Sequence, residues 1–150
     1  MSEDTKPIET QKEEKQEEQK PKTPAQLLAS IPGAPSAAQL DSWKAAVPNH
    51  RIRLFTPDLK RVYIIRGLSG LEVSVIQKSI PQNTTERDID FQLGACEKAV
   101  LWTNTTSSHT LSAMELKAGT AGLPASLFEI VSELSDYFPP EQIAMLSGDL

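Results

Sequence analysis

Proline and the residues around it constrain this chain more than any other feature. Pro24, Pro48, Pro57, Pro81, Pro124 and the pair Pro139-Pro140 divide it into short segments. Proline removes an amide donor, so it is tolerated in turns and the first turn of a helix and it ends regular structure elsewhere. The apolar residues between these breaks are too few per segment for any one segment to fold alone. Whatever forms must therefore be a set of short elements sharing one core.

The first 24 residues lie outside that scheme. MSEDTKPIETQKEEKQEEQKPKTP has Met1 and Ile8 as its only large apolar side chains. It cannot bury enough surface to offset the backbone entropy of ordering, so residues 1–24 are expected to be a disordered charged tail. Residues 25–150 are expected to form a single small helical domain with a β-hairpin at about 51–66.

Local signals fill in the elements. Thr23 before Pro24 marks a short helix start, and the run from Ala25 stops at Ile31-Pro32-Gly33. Ser36 with Gln39 forms a capping box that opens a helix from about Ala37 to Val47, with Leu40, Trp43 and Val47 on one face. Arg51–Thr56 and Arg61–Arg66 read as the strands of the hairpin, turned at Pro57-Asp58. The second strand is uniformly apolar and so expected to be buried on both faces. A second capping box, Ser69 with Glu72, starts a helix to about Ile80, with Leu68 stapled to Val73. Thr84–Asp88 opens a helix running to about Trp102, with an inner stripe of Ile89, Leu93, Cys96 and Val100. Thr103–Thr110 is a polar loop. Pro124 opens a helix with the stripe Leu127, Ile130, Val131, Leu134 and Phe138, and Pro140 starts a terminal helix. The class is α+β and helix-dominated: a hairpin packed by three or four helices.

Charge is distributed by region. Residues 44–85 hold seven Lys/Arg against Asp58 and Glu72, and residues 86–150 hold three Lys/Arg against ten Asp/Glu. The basic hairpin residues Arg51, Arg53, Lys60, Arg61 and Arg66 suit an acidic protein surface or the chain's own acidic end. Nucleic acid is not an expected partner, because the chain is acidic in total and Phe55 and Tyr63, the aromatics nearby, are wanted in the core.

No constellation predicts chemistry. His50, His109 and Cys96 lie in separate segments, so no metal site is expected. Cys96 sits on an apolar stripe, where a thiol is inert. No phosphate-cradling loop or nucleophile elbow is present. We expect no catalytic residue, no cofactor and no enzyme activity; a hydrolase or nuclease with a dispersed site is the remote alternative. No apolar run is long enough to span a membrane, and the single Cys fits a reducing compartment.

Four stretches, in order, carry a family resemblance: Ala34–Lys44 with its Trp43-Lys44; Val62-Tyr-Ile-Ile-Arg-Gly-Leu-Ser69; Ala95-Cys-Glu-Lys-Ala-Val-Leu-Trp102; and Ala118–Leu127 leading into an amphipathic helix. Together they resemble the tail-assembly chaperones, and related baseplate-hub assembly proteins, of bacteriophages with contractile tails. Residues 139–150 and the Lys/Glu-rich tail are additions to that pattern. The resemblance implies a non-enzymatic protein that assists tail or baseplate assembly by shielding a component such as the tape measure. It implies phage tail or baseplate proteins as partners, with oligomers allowed, and a location in the host cytoplasm during assembly or in the virion. A stoichiometric structural part of the baseplate, tail or head–tail region is the nearest alternative. The expected partner surface comprises Leu127, Ile130 and Leu134 with Glu129 and Glu133 on the last strong helix, and Arg51, Arg53 and Arg61 on the hairpin.

Overall fold

The structure is a computed structural model and describes residues 23–150; the expected disordered tail lies almost wholly outside them. The chain divides into two units, ending and beginning at Ala34 and Pro35. In the first, helix α1 (Pro24–Ala29) is closed by a complete capping box between Thr23 and Gln26.

The second unit opens with α2 (Ala37–Ala46), whose Ser36 hydroxyl accepts from the Gln39 amide; half of the expected capping box forms. Strands β1 (Ile52–Phe55) and β2 (Tyr63–Arg66) pair antiparallel, with Ile52 opposite Arg66 and Phe55 opposite Tyr63. Helix α3 (Gly70–Ser79) follows, capped by the Ser69–Glu72 box. Then come α4 (Arg87–Ala99), β3 (Val100–Thr103), α5 (Ala113–Ala118), α6 (Gly122–Leu134) and α7 (Pro140–Leu146). The fold is α+β with helix dominant, and its sheet is a three-stranded antiparallel one in the order β1-β2-β3.

The third strand departs from expectation. The helix foreseen as far as Trp102 ends at Ala99, and Val100 turns to extended backbone. Val100–Thr103 then pairs with β2, Ile64 opposite Trp102 and Ile65 opposite Val100, leaving Leu101 as an extra residue at a bulge. Apolar residues continue the helical stripe through Val100, but Val100, Trp102 and Thr103 also favour strands. A long-range partner settled the matter. With β3 in place β2 is central, and Val62, Tyr63, Ile64 and Ile65 are all buried, as its apolar run implied.

The main core joins Tyr63 and Ile65 of β2 with Leu93, Cys96 and Ala99 of α4 and Leu127, Val131 and Leu134 of α6. Burying side chains of this size is worth about 1.5–3 kcal/mol each and supplies the driving force of the fold. Two members of the stripes expected on α4 and α6 lie outside it, as do Leu40, Trp43 and Val47 of the face expected on α2. Ile89 is 53% exposed, and the fully buried part of α4 begins only at Leu93. Phe138 is also 53% exposed, because α6 stops at Leu134. There Asp136 adopts φ 62° and the Tyr137 amide returns to the Ser132 carbonyl, a left-handed closure that turns the chain out of the helix before Pro139.

Candidate interaction surface

The carboxyl end of α6 is held by two separate segments. Asn49 donates from its side-chain amide to the Leu134 carbonyl at 2.7 Å, and the Leu68 amide donates to Ser135 Oγ at 2.8 Å. The Gly67 backbone lies directly against the Leu134 carbonyl, where any Cβ would collide with it. These contacts fix the outer face of α6 relative to the hairpin.

That face carries Glu129 and Glu133, as expected. Glu133 takes both forks of the Arg53 guanidinium at 3.0 Å, and the guanidinium holds its carboxyl below the usual range. Arg61 is engaged by Asp58, whose other oxygen accepts the Arg61 and Lys60 amides; those backbone donors lower the Asp58 carboxyl to about 2. Arg66 binds Glu72 bidentately, at 2.6 Å and 2.9 Å. Three of the five basic hairpin residues are thus neutralised within the chain. Among the described residues no carboxylate pairs with Arg51 or Lys60.

The apolar members of the expected surface separate. Leu127 and Leu134 are 0% and 1% exposed, committed to the core and closed to a partner; this corrects their expected role. Helical spacing placed them on a stripe but could not tell its inner edge from its outer one. Ile130 is partly buried against the core. The exposed apolar groups come instead from the segment after α6, through Tyr137 and Phe138.

Between the start of β1, the outer face of α6 and that segment lies an open groove of about 640 Å³. Tyr137, Phe138 and Pro139 make its apolar wall; Glu129, Glu133 and Asp136 make an acidic side, with Arg51 at one edge. Local sequence could not reveal this groove, because it depends on where α6 ends and on the Arg53–Glu133 bridge across 80 residues of chain.

Elsewhere, Cys96 is buried among apolar groups and its thiol is pushed up to about 12 by burial, a poor nucleophile. His109 stacks on Trp102 at a centroid distance of 5.0 Å and its ring bonds the Thr103 carbonyl, a packing role in the 104–110 loop. Among the described residues no group of His, Cys, Asp or Glu could hold a metal ion, and no helix is long and apolar enough to cross a membrane. No protein-family model, curated protein or solved structure matches this chain.

Proposed function

We propose that this chain is a non-enzymatic assembly protein of a bacteriophage tail or baseplate, and that it works by holding a segment of another tail component in the groove beside α6. The groove is the observation that carries this reading. It joins exposed aromatic surface to carboxylates, the chemistry that takes an amphipathic helix with apolar residues on one side and Lys or Arg along the flank. The tape measure, with long helical stretches, is the kind of component such a groove would shield. The family resemblance supplies the phage setting. A second reading, a stoichiometric part of the baseplate or tail, is favoured by the exposed apolar segment after α6, since a permanent subunit keeps such surface covered.

The test is co-purification of the tagged full chain from infected cells, beside protein analysis of mature particles. The assembly reading expects a tail component bound to the chain and the chain absent from finished particles. Retention at stoichiometric levels would select the structural reading, and failure to bind any tail or baseplate protein would overturn both. Glu129→Lys with Asp136→Asn should weaken the captured complex most at low salt while circular dichroism stays unchanged. Glu129 and Asp136 suit this test better than Glu133, whose loss would also release Arg53.

A further inference from the structure

Residues 136–150 are exposed throughout, although six of them are large and apolar: Tyr137, Phe138, Ile143, Met145, Leu146 and Leu150. Helix α7, within this segment, has no buried residue. Seven helical residues do not hold their shape in water without a surface to lie on. The segment is also one-signed, with Asp136, Glu141 and Asp149 and no Lys or Arg.

The same chain offers a seat for it. A groove runs between α3, α4 and α6 as two lobes of about 330 Å³ and 270 Å³ that share Gln77, Phe91 and Phe128. Arg87, Phe91 and Ala95 line it along α4 at i, i+4 and i+8, a run of about 12 Å. Helix α7, seven residues long, spans about 10 Å. At the outer end Arg87 donates only to the carbonyls of Gln77, Ile80 and Pro81; Asp88 lines the same lobe, but among the described residues no carboxylate forms an ion pair with Arg87. An acidic, apolar helix matches this groove in length and in its Phe91, Phe128 and Val131 lining, and one of its carboxylates can take the unpaired Arg87.

We propose that α7 of one copy seats in the α3–α4–α6 groove of a second copy, with Ile143 and Leu146 in the two lobes and an end carboxylate at Arg87. A copy's own α7 does not lie there: Phe138, Pro139 and Gln142 line the groove on the Arg51 and Glu133 side of Tyr137. Two copies exchanging α7 fill both grooves and close on a two-fold axis. This goes beyond the assembly role; the two grooves share Ser132 and Tyr137, but Gln77, Arg87 and Phe91 line only this one.

Sedimentation equilibrium on the full chain, from micromolar to millimolar, tests the proposal. We expect a monomer–dimer equilibrium whose dissociation constant rises at least about thirtyfold in I143D/L146D, the loss typical of two anchor residues. Both positions are exposed, so circular dichroism should lose no more than the small signal of α7 itself, the rest of the fold being intact. Mixing a Leu146→Cys chain with a Gln77→Cys chain under mild oxidation should give a disulfide between the two variants. A chain that stays monomeric, its α7 reserved for another protein, would overturn the proposal. So would a dimer indifferent to I143D/L146D, or a Q77C/L146C double variant that cross-links only within one chain.

Discussion

Single residues at contact points decide how tightly this molecule can close. Gly67 is needed for the absence of a side chain, not for an unusual backbone angle, because the Leu134 carbonyl occupies the place of its Cβ. Gly67→Ala must push α6 away from the β2–α3 turn, straining the Asn49 and Leu68 bonds to the same helix end. The expected cost is about 2–3 kcal/mol, read as a lower urea midpoint with unchanged slope. Cys96 shows the opposite case, a reactive group silenced by its setting. Its thiol donates weakly to the Pro124 carbonyl at 3.6 Å within the core. Native protein should therefore react with a thiol reagent orders of magnitude more slowly than urea-unfolded protein. Prompt native labelling would mean that α4 and α6 open locally.

At the scale of elements, the hairpin and β3 depend on one asparagine. Asn104 Oδ1 accepts the buried Val62 amide at 2.8 Å, and its Nδ2 donates to the Lys60 carbonyl at 2.8 Å. The side chain thus extends the ladder where β3 has ended. Asn104→Ala leaves the Val62 amide without a partner and should cost about 2 kcal/mol. Asn104→Asp keeps the acceptor and should lose less; equal losses would show that the Lys60 contact dominates. The short helices owe their starts to local chemistry: the hydroxyls of Thr23, Ser36, Ser69 and Ser112 each accept an amide of the first turn. These caps were legible in sequence at Thr23, Ser36 and Ser69 because capping is a bond between residues three apart. Ser112 caps a helix of six residues, too short to show a helical period in the sequence.

For the whole molecule, stability should depend on acid in a way set by Arg66 and Glu72. The Arg66 guanidinium, and the Ser69 amide of the capping box, hold the Glu72 carboxyl at about 2, against an ordinary value of 4.5. Its folded value is depressed, so the unfolded chain binds more protons as the pH falls. The stabilisation is present above about 4.5 and is lost as the pH falls toward about 2. Glu72→Gln should be less stable than the parent at neutral pH, and the gap should close toward pH 2. A gap that is constant with pH would place the effect in packing rather than charge. Asp58 titrates over the same range but is exposed, so its contribution is screened.

Sequence by itself determined the features that act over a few residues or along one segment. It set the proline breaks, the caps, the two hairpin strands, the burial of β2 and the helix-dominated α+β class. The charge division among segments was equally visible. Tertiary structure alone decided that Val100–Thr103 is a strand, since extended backbone there is stable only with β2 as neighbour. It also decided that Leu127 and Leu134 face inward, that α6 ends before Phe138, and that Arg53 is bound by Glu133. Each of these outcomes depends on groups far apart in the chain. A side chain's spacing tells which face it lies on, but only the packing of the other elements tells whether that face meets protein or water.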